Sequence, residues 1–120
     1  MMKKILIVDD EPEDLETMKT ILEKEGYIVT TAADGIEALD LLIGNGFDLI
    51  LLDIKMPALS GYALLRLLRE KLNHNVKLGY VSIVPKKEVN LADCDGFIQK
   101  PFSPTLFLAE VKKILGRKRK

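Results

Sequence analysis

The run Asp48-Leu49-Ile50-Leu51-Leu52-Asp53 decides the fold. Four consecutive aliphatics do not suit a half-wetted surface; they fit a strand buried on both faces, as in the centre of a parallel sheet. The residue ending such a strand emerges at the sheet edge. Here it is Asp53, followed by Ile54-Lys55-Met56-Pro57 and then Gly61. Open α/β sheets take their ligands at the carboxyl edge of their strands, so an acid delivered there is a candidate for chemistry.

Outward from that strand the same alternation repeats. Ile5-Leu6-Ile7-Val8 is a short β-branched run that stops at Asp9-Asp10-Glu11-Pro12. Asp10 is expected to cap the following helix, with Pro12 in its first turn and Leu15, Met18, Ile21 and Leu22 at helical spacing up to Gly26. A second strand is expected from Tyr27 to Thr31, and Ile36, Leu39, Leu42 and Ile43 mark a second helix. Ser60 caps a third helix carrying Leu64, Leu65, Leu67, Leu68 and Leu72. Val76 to Ser82 reads as a fourth strand, weakened by Gly79. Pro85 to Asp95 is the least legible stretch, with room for a short fourth helix around Lys86 to Leu91. Gly96-Phe97-Ile98-Gln99 is a short fifth strand ending at Lys100-Pro101, and Ser103-Pro104 opens a last helix with Phe107, Val111, Ile114 and Leu115 on one face. Right-handed crossovers turn a β-α pattern repeated five times into a doubly wound five-stranded parallel sheet with helices on both faces.

Composition fits one soluble domain: 120 residues, 48% hydrophobic and 30% charged. Eighteen basic residues balance eighteen acidic ones, so the overall charge does not point to nucleic acid. The domain is expected over 1–116, with 117–120 as a solvated basic tail. Cys94 is the single cysteine, which excludes an internal disulfide and a cysteine metal cluster; it reads as a small buried filler near the fifth strand. The lone His74, in a polar loop, is expected to face solvent. No apolar stretch has the length of a membrane span and no signal-peptide cleavage site is visible, so the expected compartment is the cytoplasm.

Parallel strands end on one edge. Asp9 and Asp10 follow the first strand, Asp53 the third, Ser82 the fourth and Lys100 the fifth, and a strand order beginning 2-1-3 sets the first and third side by side. Clustered carboxylates resist joint ionisation unless a cation joins them. Oxygen ligands without His or Cys select a hard metal, and a sparse set on a wet edge favours Mg²⁺ over Ca²⁺. Metal, lysine and hydroxyl around one acid suit phosphoryl transfer, which depends on positioning and charge stabilisation. Each residue also has a plainer reading: Asp9 and Asp10 as helix-capping acids, Asp53 as a loop acid, Lys100 as a snorkelling lysine and Ser82 as a strand-edge hydroxyl.

Taken together, Val8-Asp9-Asp10-Glu11, Asp53-Ile54-Lys55-Met56-Pro57 with Gly61, and Lys100-Pro101-Phe102 resemble the receiver domain of two-component response regulators over essentially the whole chain. The resemblance implies a flavodoxin-like sheet of order 2-1-3-4-5. It implies that Asp53 accepts a phosphoryl group from a phosphohistidine on a sensor histidine kinase or histidine phosphotransfer protein. It further implies Mg²⁺ held by Asp10, Asp53 and the backbone carbonyl of Lys55, with Asp9 acting through water. Lys100 would pair with the phosphoryl oxygens, Ser82 would hydrogen-bond them, and the Lys100-Pro101 bond would be cis. Such a domain is a phosphoacceptor whose own chemistry stops at self-phosphorylation and slow autodephosphorylation. Its output would be an altered preference for a downstream protein, with the face of fourth helix, fifth strand and last helix as a candidate homodimer surface.

The chain departs from that family where the signal is passed on. Ile83 stands where Ala or Gly is usual, and its bulk could hinder access to the phosphoryl group. Ser82 and Lys100 are only 18 positions apart, a few fewer than usual, and Pro85 between them shortens or displaces the fourth helix. Phe97 lacks the hydroxyl of the more usual Tyr. These departures keep a second reading open, an interaction module working without phosphate. A hydrolase with an aspartyl-phosphate intermediate is a weaker rival, since Asp9-Asp10-Glu11 lacks the Asp-x-Asp register and no cap-sized insertion exists. The chain is expected to be a stand-alone receiver or one excised from a longer protein.

Overall fold

A computed structural model describes residues 2–73 and 75–117. His74 and residues 118–120, for which a solvent-facing role and a basic tail are expected, lie outside that range. In chain order the elements are β1 (Lys4–Val8), α1 (Pro12–Lys24), β2 (Ile28–Ala32), α2 (Gly35–Leu41), β3 (Leu49–Leu52), α3 (Gly61–Lys71), β4 (Lys77–Ser82), β5 (Gly96–Gln99) and α4 (Pro104–Gly116). The five strands form one parallel sheet in the order β2-β1-β3-β4-β5, the flavodoxin-like arrangement expected.

Two hydrophobic clusters explain why β3 is aliphatic throughout. Ile50 and Leu52 face the same side as Leu6, Val8 and Leu78, where Ala38 of α2 and Leu64, Leu65 and Leu68 of α3 cover them. Leu49 and Leu51 face the other side with Ile5, Ile7 and Ile98, under Met18 and Leu22 of α1 and Phe107, Val111 and Ile114 of α4. All four β3 side chains are fully buried, so neither face of the strand has a polar option.

Several local expectations need correction. Asp10 does not cap α1. The cap position is Glu11, which makes no side-chain cap bond, while the Glu11 N–H donates to Asp9 Oδ1 at 3.0 Å. The carboxylate that organises the helix start is thus one residue earlier, and Asp10 is left to the sheet edge. β2 begins at Ile28, not Tyr27, because the Tyr27 N–H returns to the Leu22 carbonyl while Gly26, at φ 91°, donates to Glu23, closing α1 in a Schellman turn. In α2 the expected stripe is rotated. Ile36 and Ile43 are 63% and 81% exposed, and the helix presses Gly35 and Ala38 inward. A Cβ on Gly35 would strike the Leu59 side chain, so small residues, not branched ones, face the sheet there.

The stretch between β4 and β5 holds no α-helix; a single 3₁₀ turn covers Lys86–Glu88. The irregular fourth helix expected there is therefore reduced to one turn, and the full alternation of five helices becomes four. The Gln99 amide nitrogen donates to the carbonyls of Ser82, Val84 and Lys100 at 3.0–3.2 Å, and its oxygen accepts from the Lys86 N–H. One side chain thus ties the shortened segment to the sheet. Cys94 is half-buried and packs against the α2–α3 cluster, near β5 as expected.

Candidate functional site: an acidic pocket at the carboxyl edge

Backbone pairing sets the edge. The Asp53 N–H donates to the Val8 carbonyl at 2.9 Å, the Asp9 N–H to Ala32 at 3.1 Å, and the Lys100 N–H to Ser82 at 2.9 Å. Each bond fixes the first residue beyond a strand against its neighbouring strand, so side chains far apart in sequence leave the sheet at one level. One carboxylate oxygen each from Asp9, Asp10 and Asp53 lies within 4.8 Å of the others. Asp10 and Asp53 border a cleft of about 350 Å³ that Asp14, Lys55, Ile83 and Lys100 also line.

Gly61 lets α3 approach this edge. Its N–H donates to the Ile54 carbonyl at 2.8 Å, and a Cβ there would collide with the Asp53 carbonyl oxygen and sit 2.8 Å from Ile54 Cα. No residue with a side chain fits without moving the acid.

Asp53 is only 7% exposed. Burial first, then the negative charge of Asp9, raises its pKa to about 6; Lys100 and a hydrogen bond from the Ile54 backbone pull the other way. Such a carboxylate is ionised at neutral pH yet poorly solvated, which suits a nucleophile or a ligand for a cation.

Lys100 is bonded to two acids at this edge. Its Nζ donates to Asp9 Oδ2 at 2.6 Å and to Asp14 Oδ2 at 2.8 Å. Burial favours the neutral amine, but the bonds to Asp14 and Asp9 outweigh it and the pKa moves up, so the ammonium is firmly charged. Asp14 was not among the residues expected at the site. The available signal was its place in the first turn of the helix that follows Asp9 and Asp10, close in sequence to both acids.

Ser82 is wholly buried at the end of β4, and its Oγ accepts from the Val84 N–H at 3.2 Å. It ends β4 at this edge and is not among the residues that line the cleft. Ile83, the next residue, is 64% exposed and lines both this cleft and a neighbouring one of about 680 Å³ formed with Met56, Pro57, Tyr62 and Pro85. Phe97 is buried and paired in register with Tyr80. The Lys100-Pro101 bond is cis, as the resemblance implies.

Residues 5–112 match the model of the response regulator receiver domain. The chain belongs to that family. It is therefore a phosphoacceptor signalling domain of two-component systems, and membership implies a cognate histidine kinase. Among curated relatives, the receiver is 37% identical to response regulator GtcR of Aneurinibacillus migulanus across 98% of its own length and 49% of that protein. It is 33% identical to response regulator SaeR of Staphylococcus aureus across 99% of its length and 53% of that protein. The chain thus spans about half the length of the curated relatives it matches. Response regulator TrrA of Thermotoga maritima, solved in complex with Mg²⁺–BeF, superposes with a TM-score of 0.85 at 34% identity, covering 94% of this chain and 99% of that one. A CheY-like receiver domain protein of Methanospirillum hungatei gives 0.82 at 36% identity, covering 96% of this chain and 94% of its own. No helix among the described residues is long and apolar enough to cross a membrane.

Proposed function

We propose that Asp53 is the phosphoacceptor of this receiver, taking a phosphoryl group from a phosphohistidine on a sensor histidine kinase or a histidine phosphotransfer protein. The observation carrying this reading is the gathering of Asp9, Asp10 and Asp53 within 4.8 Å, with the Lys100 ammonium bonded into the same cluster. The ionised Asp53 oxygen attacks phosphorus, the bond from phosphorus to the histidine nitrogen breaks, and an acyl phosphate results. The donor ring, protonated on its other nitrogen, leaves with the bonding pair as neutral histidine.

The donor set fits Mg²⁺: three carboxylates at a wet edge, without nitrogen or sulfur ligands. Asp10, Asp53 and the Lys55 carbonyl would hold the ion directly and Asp9 through water. When bound, the ion would neutralise the clustered charge and draw phosphoryl oxygens toward the acid. Lys100 offers its ammonium to the same oxygens. Ser82 spends a lone pair on Val84 and keeps its own proton to donate. Turning that hydroxyl toward Asp53 would pull on the β4–β5 segment and alter the face it shares with β5 and α4, where a downstream protein or a second copy would dock. The domain would span 1–116 and work in the cytoplasm.

A second reading keeps the fold and drops the phosphate. It is supported by Ile83 at the cleft wall and by the loss of the fourth helix. Mg²⁺ with beryllofluoride, followed by NMR, separates the two. Shifts at Asp53, Ser82 and Phe97, abolished in Asp53→Asn together with labelling by acetyl phosphate, are the expected result. A wild-type chain that gives no response would discard the acceptor assignment in favour of the second reading.

A further inference from the structure

The ammonium of Lys100 carries three protons, and two are already committed, to Asp9 and to Asp14. Those two partners are not equivalent. Asp9 is buried, and its other oxygen is fixed by the Glu11 N–H, so it cannot turn to water. Asp14 stands in the first turn of α1 with a side chain 41% exposed. Water can replace Lys100 at Asp14 at modest cost, but not at Asp9.

We infer that Asp14 is a positioning residue that tethers Lys100 toward α1 in the resting receiver and competes with the incoming phosphoryl group for it. The inference rests on the assignment of Asp53 as acceptor. An anionic group added to Asp53 brings oxygens that need donors, and the nearby ammonium supplies them by releasing its more hydrated partner. Loading is then opposed by the Asp14–Lys100 bond and favoured by anything that weakens it. The tether also holds a cation at the pocket before loading, which limits repulsion among the three clustered acids. It thus sets both the ease of charging Asp53 and the position from which Lys100 starts.

The test is titration of the full chain with beryllofluoride at saturating Mg²⁺, in wild type, Asp14→Asn, Asp14→Ser and Glu13→Gln. Glu13→Gln removes the same charge one residue away, from an exposed side chain that makes no bond to Lys100 in the structure. Losing one charge-assisted competitor should tighten beryllofluoride binding roughly tenfold in both Asp14 variants. Glu13→Gln should stay within about twofold of wild type, as expected for an exposed charge screened by salt. A merely structural role for Asp14 predicts weaker binding, the opposite sign. Unchanged or weaker binding in the Asp14 variants, or equal tightening in Glu13→Gln, would overturn the tether while leaving Asp53 as acceptor. A wild type that ignores beryllofluoride would overturn both.

Discussion

At the scale of single residues, the raised pKa of Asp53 makes stability depend on pH. Its value of about 6 lies above the ordinary 3.8, so the folded protein holds this proton more tightly than the unfolded chain does. That stabilising contribution is fully present below about pH 4 and is lost as pH rises through 6. In metal-free protein, Asp53 should therefore cost on the order of 2–3 kcal/mol at pH 7 relative to pH 4. Urea melts across this range, with Asp53→Asn as comparison, should show the slope in wild type and its absence in the variant. Saturating Mg²⁺ should flatten it by compensating the buried charge. Asp9, Asp10, Asp53 and Lys100 could be placed from the sequence because each lies just past a stretch that reads as a strand, and the end of a parallel strand has one address. Asp14 could not, because an acid in the first turn of a helix is an ordinary, solvated choice there; its role exists only once Lys100 arrives from 86 residues away. Asp10 misled for a related reason: an aspartate two residues before a proline looks like a cap, but Glu11 holds the cap position and the neighbouring Asp9 accepts its N–H.

At the scale of elements, glycine decides two close approaches. Gly61 brings the start of α3 against the acid's own backbone, so Gly61→Ala should shift the Asp53 carbonyl, cost about 1–3 kcal/mol and weaken beryllofluoride binding. Chemical denaturation and the same titration would check it. Gly79 and Gly96 are register partners on β4 and β5, and Ile114 of α4 fills the hollow they leave. The glycine that seemed to weaken β4 is thus the seat of the last helix. Ile114→Ala should empty that seat and cost about 2–5 kcal/mol by thermal or urea unfolding. Strands and the ends of α1, α3 and α4 were readable from aliphatic runs and from Gly26, Ser60 and Ser103. The α2 face was not, because contact with Leu59 and not periodicity fixes which side turns inward. In the β4–β5 stretch Pro85 and the lack of a helical apolar spacing left only room for a short helix, and its tie to Gln99 is invisible in one dimension.

At the scale of the whole molecule, the two edges of the sheet do different work. The carboxyl edge gathers the charged side chains of the candidate site. At the opposite edge Arg69 donates to Asp95 Oδ2 and to the Asp93 carbonyl, both at 2.8 Å, and to the Val76 carbonyl at 3.3 Å; the Leu78 N–H also donates to Asp95. Arg117, just past α4, donates to the Asp95 carbonyl at 2.6 Å. This ion pair is nearly buried, so Arg69→Met should cost about 3–5 kcal/mol by leaving a carboxylate with fewer partners, while beryllofluoride affinity in the folded fraction stays near wild type. Denaturation and titration of the same sample separate the two effects. The segment from Ile83 to Asp95 is consequently hung like a door: its far side is bolted to the frame through Arg69, and its near side rests on the amide of Gln99. On the function proposed above, a push from the acid would move this segment most at its Gln99 end and least at the end held by Arg69.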